Sequence, residues 1–403
     1  VLNDRALLAC LRWDDAGTER LRALTAEDWN ALWQLIRAGA GQHLLARRLQ
    51  RATIRPPDAI EAALRKRAVV VARRNLAGRA ALAAAIRATG RPALLLKGVD
   101  LAERLYGDLG QRPMLDIDFL VGTDDIAAYD SHLQSLGFDP SPPPHPVLIN
   151  SDRHHHTHYR NGTVTDLPLE LHWRLANDER YRSIDVDGIW TRSMPWPAVA
   201  PNARIMAPED LFLYLCLHLK QHTFDTPLTQ IWDLAEMLHS PGLPLDWTIV
   251  WQRAHDWHLT RTVQVALHLV SATLGVPTDA ISDWTPEPGL TALLPDVLSH
   301  LGRYPHADEI TGPRMPLLLS STSSWSERYR ALRASALPPR SEIRALYGRP
   351  DDSFWRDCLS YLRGWRQLLA VRGKGLRGWL AGSADVRRHI DRLTELRRHL
   401  GAE

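Results

Sequence analysis

Arg112-Pro113-Met114-Leu115-Asp116-Ile117-Asp118-Phe119-Leu120-Val121 is the stretch whose reading decides the fold. Met114–Val121 reads as a strand, closed by Gly122-Thr123. Successive side chains of a strand point to opposite faces. That puts Leu115, Ile117, Phe119 and Val121 on one apolar face, and Asp116 and Asp118 together on the other. Aspartate is poorly suited to strands, and two on one face repel each other unless something neutralises them. A divalent cation does so: two-metal sites hold ions about 3.5–4 Å apart, a spacing that carboxylates two residues apart can bridge. Magnesium prefers carboxylate and phosphate oxygens.

Upstream, Ala93–Leu96 is a short apolar strand, Lys97-Gly98 a turn, Val99–Tyr106 a helix and Gly107–Pro113 a loop. A helix start offers unpaired N–H groups and a positive dipole to a triphosphate. Gly98 lets the backbone come close, and Lys97 adds a point charge. Arg112, just before the acids, is a further candidate triphosphate contact. Downstream, Asp125–Leu136 is a helix capped by Gly137. Ser141–Pro146 is a loop, and His154–Arg160 and Val164–Arg174 are strands around the hairpin turn Asn161-Gly162. On the second of these strands Leu167, Leu169, Leu171 and Trp173 share one face, and Glu170 and His172 the other. If that strand lies beside Met114–Val121, Glu170 completes a triad of acids, as metal ligand or as general base, and His172 faces the same cleft.

The flanks are helical. Thr25 reads as an N-cap before Ala-Glu-Asp, Asp58–Thr89 is a long Ala-rich helix ended by Gly90 and Pro92, and helical patterns run from Pro208 to about residue 300 and from Asp351 onward. Residues 301–345, rich in Pro, Ser and Arg, read as a connection. The 403 residues carry a formal charge of +3, with 45% hydrophobic and 24% charged residues, a globular composition and too weak a positive balance to argue for nucleic acid. Cys10, Cys216 and Cys358 are far apart and odd in number, which points to a reducing cytoplasm and away from a disulfide framework. Neither a membrane-spanning run nor a signal peptide is expected, and the absence of a starting Met points to a short missing stretch.

These residues resemble the bacterial "uncharacterised nucleotidyltransferase" family, within the DNA polymerase β-like superfamily. Leu96-Lys97-Gly98, Leu105-Tyr106, the block from Arg112 to Val121, Gly137-Phe138 and Glu170-Leu171-His172-Trp173 match its motifs. The resemblance implies an α+β fold: a minimal nucleotidyltransferase mixed sheet with flanking helices at residues 91–200, between a helical N-terminal region at 1–90 and a helical C-terminal region at 201–403. It also implies Mg²⁺ (or Mn²⁺), a nucleoside triphosphate such as ATP as donor, and transfer of a nucleotidyl group to an acceptor hydroxyl, with a modified peptide or other natural product as the acceptor class. Asp116, Asp118 and Glu170 would be the metal ligands and catalytic acids, and Lys97, Gly98, Arg112 and His172 the nucleotide contacts. One departure is Val99, where superfamily members usually carry Ser or Gly after the first glycine. It keeps open sugar or phosphoryl transfer on the same scaffold; a non-catalytic nucleotide-binding scaffold is a further alternative, and nucleic-acid binding the weakest.

Other features carry open readings. His154, His156 and His158 share a strand face and could bind phosphate or a transition metal, or form a polar hairpin edge. His218 and His222 share a helix face that Asp233 could join, for packing or substrate contact. Arg363, Arg366, Arg372, Lys374 and Arg377 with Trp365 and Trp379 read as an amphipathic helix pair with a basic solvent face.

Overall fold

The computed structural model describes residues 9–278 save 39–40, 152–153, 177–182, 223 and 225–227, together with 6, 281, 337–347, 355–366, 391 and 394–395. Helices α1 (Asp15–Arg22), α2 (Ala26–Ala38) and α3 (Gln42–Ala52) lead to the long α4 (Asp58–Thr89). The start of α2 is a reciprocal cap: the Asp28 amide donates to Thr25 Oγ1 at 3.2 Å, and the Thr25 amide donates to Asp28 Oδ2 at 3.3 Å. Then follow β1 (Ala93–Leu95), α5 (Val99–Arg104), β2 (Ile117–Leu120), α6 (Ile126–Ser135), β3 (Asp139–Ser141), α7 (Pro146–Ile149), β4 (His156–Asn161) and β5 (Thr165–His172). After them come α8 (Val186–Arg192), β6 (Met194–Pro195), β7 (Ala203–Ile205), α9 (Pro208–Gln221), α10 (Leu228–His239), α11 (Trp247–Asp256), α12 (Thr260–Leu274), α13 (Arg340–Tyr347) and a helix over residues 355–366.

The strands form one mixed sheet in the order β3-β4-β5-β2-β1-β7-β6, the expected α+β architecture. β2 runs parallel to β5 and antiparallel to β1, and β1 runs parallel to β7. One face carries Leu95, Ile117, Phe119, Leu169 and Leu171, packed with Leu82 and Ile86 of α4 and with Tyr129 and Leu133 of α6. The other face carries Leu94 and Leu120. They share a core with Leu21, Leu32 and Leu45 of the first three helices and with Leu215, Trp232 and Leu267 of α9, α10 and α12. The long α4, which the sequence places in the N-terminal region, packs against one face of the sheet. No helix among the described residues is long and apolar enough to cross a membrane.

Gly78 sets the approach of α4 to the sheet: a Cβ there would stand 2.4 Å from Ile117 Cδ1 and 3.0 Å from Leu167 Cδ1. Overpacking a filled core costs about 1–3 kcal/mol. Because Ala regains roughly 1 kcal/mol over Gly inside a helix, Gly78→Ala is expected to lower the free energy of unfolding by up to about 2 kcal/mol in a urea titration; a raised midpoint would show that this layer is not closely packed.

The acid strand begins later than expected. Met114–Asp116 lies outside β2, and Leu115, expected on the apolar face, is 52% exposed. Alternation fails there because other elements hold the chain. Asn75 of α4 donates to the carbonyls of Leu109 and Arg112 at 2.6 and 2.8 Å, and Arg74 donates to the Met114 carbonyl at 3.2 Å. Beside it β1 has already turned away at Gly98 (φ 69°), where a Cβ would lie 3.0 Å from Met114 Sδ. The connection expected over 301–345 lies mostly outside the described residues, but residues 340–345 belong to α13. Of the expected C-terminal basic helix pair, Arg363, Trp365 and Arg366 lie on the helix over residues 355–366. Arg372, Lys374, Arg377 and Trp379 lie outside the described residues.

Candidate active site

The register of three strands assembles the polar cluster. Asp118 of β2 stands opposite Glu170 of β5, which stands opposite His158 of β4; one step along, Leu120, His172 and His156 repeat the row. The two-residue period then brings Asp118, Glu170, His172, His156 and His158 to one face. Asp116, just before β2, joins them from the strand entrance.

Basic side chains hold the acids. His172 Nε2 lies 3.1 Å from Asp118 Oδ1 and 3.6 Å from Glu170 Oε2, and His158 Nδ1 lies 2.8 Å from Glu170 Oε1. Lys97 Nζ reaches Asp118 Oδ2 at 3.2 Å and Asp116 Oδ1 at 3.8 Å. Lys97 thus turns inward onto the carboxylates; the turn at Gly98 that ends β1 is what aims it there. Its third neighbour is His218 Nε2 of α9 at 3.0 Å, whose Nδ1 lies 3.1 Å from Gln230 Oε1 of α10.

Crowding separates the two aspartates electrostatically. Burial and the neighbouring Asp118 push the Asp116 carboxyl up to about 7. Burial also opposes ionisation of Asp118, but Lys97 and the His172 hydrogen bond hold it below the usual carboxylate range. Glu170 is likewise held low, against its burial, by His158 and His172. Burial works against the His172 cation, yet Asp118 and Glu170 raise it to about 9. Burial and the Lys97 charge keep His218 well below the ordinary histidine value. The result is a dense negative cluster balanced by one lysine and one histidine, with Asp116 the least settled member.

Of the residues expected at a nucleotide, Lys97, Gly98 and His172 lie at the acids, but His172 is only 4% exposed and is engaged with two carboxylates. Its position is that of a brace for Asp118 and Glu170. Arg112 is elsewhere committed. Its Nε and Nη2 donate to Asp233 Oδ1 and Oδ2 at 2.9 and 2.7 Å, and Tyr106 donates its hydroxyl to the same carboxylate at 2.7 Å. Both partners are buried, so Arg112 ties the loop before the acid strand to α10, in place of the expected triphosphate contact. For the same reason Asp233 does not join His218 and His222. Sequence reasoning missed His218 as a neighbour of Lys97. The only signal was its helical pairing with His222, which identifies a face but not what that face meets.

The donor set suits divalent cations. Asp118, Glu170 and His172 offer ligand atoms within 4.8 Å of one another. Asp118 Oδ2 is buried without a hydrogen bond, leaving the Lys97 ammonium as its neutralising neighbour. Asp116 is more open, its side chain 30% exposed.

Neither a curated protein nor a solved structure matches the chain. The family model described as "Uncharacterised nucleotidyltransferase" matches residues 25–275, from the cap of α2 through α12 and across every strand of the sheet. The chain belongs to this family and is an enzyme of the nucleotidyltransferase type.

Proposed function

We propose that the enzyme moves a nucleoside monophosphate from a nucleoside triphosphate to an acceptor hydroxyl, using divalent ions held by Asp116, Asp118 and Glu170. The observation that carries this reading is the pairing of Asp118 with Glu170 across adjacent parallel strands, with Asp116 at the strand entrance. Magnesium, or manganese in its place, would polarise the phosphoryl oxygens and lower the pKa of an attacking hydroxyl. The residues themselves supply the rest. His172 fixes the carboxylates of Asp118 and Glu170, and His158 fixes Glu170 from the far side. The Lys97 ammonium, which sits at the turn before α5 and reaches Asp116 and Asp118, would meet the phosphates of a triphosphate held there. The acceptor class remains that implied by the family resemblance: a hydroxyl on a modified peptide or other small molecule.

The test uses nucleoside triphosphates labelled at the α- or γ-phosphorus, with Mg²⁺ and an extract of small molecules and peptides as acceptor pool. Label from the α-position should enter product, while γ-label leaves as pyrophosphate. Transfer of γ-label to product, with nucleoside diphosphate released, would replace this reading by phosphoryl transfer. Lys97→Ala should weaken triphosphate binding about tenfold or more, the worth of a charged hydrogen bond. An unchanged Kd in a calorimetric titration would remove Lys97 from the phosphate site.

A further inference from the structure

Beside the acid cluster, on the side away from Lys97, four imidazoles touch. His156 lies between two of them: its Nδ1 is 2.9 Å from His155 Nε2, and its Nε2 is 3.0 Å from His158 Nε2. The His156 and His172 rings are 4.8 Å apart, and those of His155 and His172 5.5 Å. His155, His156 and His172 each place a ring nitrogen within 4.8 Å of the other two. His172 uses Nε2 on Asp118; its Nδ1 is buried and has no hydrogen-bond partner. A buried nitrogen without a partner is costly unless a ligand meets it.

We propose that His155, His156 and His172 form a three-imidazole site for a transition-metal ion of the Zn²⁺ class, separate from the ions assigned to the carboxylates. Three arguments support it. Deprotonated imidazole nitrogen suits zinc, copper, nickel and iron, whereas Mg²⁺ prefers oxygen; the ion would take the place of the Nδ1 proton of His172, which is released to solvent on binding. Nitrogens turned toward each other need a lone pair on at least one ring, whereas an anion-binding cluster would turn N–H groups outward. Ligand nitrogens on a tetrahedral zinc stand about 3.3 Å apart when each bond is about 2.0–2.1 Å, so small side-chain adjustments admit the ion. The outer contacts also match what metal-bound histidines use. His172 is oriented by Asp118 through its other nitrogen, and His156 by His158, which in turn is held by Glu170. Three histidines leave a fourth position open, as in catalytic zinc sites. Because Asp118 orients His172, occupancy would bear on the acids directly. The proposal does not require the nucleotidyl-transfer reading, since a zinc ion can bind here whatever group the acids transfer.

The test is metal stoichiometry on the full chain after chelator treatment, with Zn²⁺ and with Co²⁺ as the visible probe. The expected result is one Zn²⁺ per chain, retained in an excess of Mg²⁺ and in Asp116→Asn. Bound Co²⁺ should give the intense visible bands of a four-coordinate nitrogen site. His156→Ala should abolish binding, and His158→Ala, which removes only the support of His156, should weaken it about 10–100-fold. Circular dichroism reports whether each variant is folded. If His156→Ala is not, His155→Ala, from the half-buried approach to β4, carries the same expectation. Full stoichiometry in a folded His155→Ala or His156→Ala variant overturns the proposal. So does an ion lost in Asp116→Asn or displaced by Mg²⁺, which would assign it to the carboxylates. Loss on His222→Ala with retention in His156→Ala would place the ion on α9 and overturn it equally.

Discussion

Asp116→Asn is expected to lower turnover at least ~10³-fold while making the metal-free protein more stable near neutral pH. The activity loss follows from removing a carboxylate that holds an ion worth several kcal/mol of transition-state stabilisation. The stability gain follows from the same crowding. Burial and Asp118 raise the Asp116 carboxyl to about 7, against roughly 3.9 in an unfolded chain. The folded protein therefore keeps this proton where the unfolded chain has lost it. The associated stability is full below about pH 4 and is lost as pH rises through about 7. Asparagine cannot ionise and escapes that loss. Thermal midpoints in chelator, measured from about pH 4 to about pH 8, should show the variant gaining on the wild type as pH rises through this window. A difference that stays constant with pH would mean that Asp116 is not crowded by Asp118. A variant with full turnover would remove Asp116 from the active site.

Arg112→Ala is expected to cost stability, about 3–5 kcal/mol, because it strands Asp233 as an unpaired buried charge. The Arg112 side chain is 8% exposed and that of Asp233 1%. Asp233 would keep only the Tyr106 hydroxyl as donor. Replacing both ends with apolar residues, as in Arg112→Met with Asp233→Leu, should recover much of the loss, since the pair's desolvation cost goes with it. Urea titrations of the two variants separate this role from phosphate binding. If Arg112 met a triphosphate, Arg112→Ala would raise the nucleotide Kd and leave the unfolding midpoint in place.

That contrast shows where the sequence was legible and where it was not. Alternation along Ile117–Leu120 and Leu167–His172 correctly separates an apolar face from a polar one, and the hairpin at Asn161-Gly162 makes β4 the neighbour of β5. Asp118 and Glu170 could therefore be expected to meet before any contact was known. Alternation does not say where a strand begins. Leu115 turns outward because α4 holds Met114 and the loop before it, an interaction between segments some forty residues apart. Nor does a motif report which charges pair inside the protein. Arg112 beside two aspartates reads as a phosphate contact, but its partner comes from α10, 121 residues further on. His218 was out of reach for the same reason: it meets Lys97 only because α9 packs over the face of the sheet that carries Leu94 and Leu120. The histidine cluster at the start of β4 was visible in the sequence, but its place against His172 depends on the β4–β5 register.

The most direct test of the account is a crystal structure with Mn²⁺ and a non-hydrolysable nucleoside triphosphate, read by the anomalous signal of manganese. Manganese is expected on Asp116 and Asp118, with Glu170 beside it and the triphosphate extending toward Lys97. A nucleotide bound with manganese at some other set of residues, leaving these three carboxylates on Lys97, His158 and His172, would contradict it.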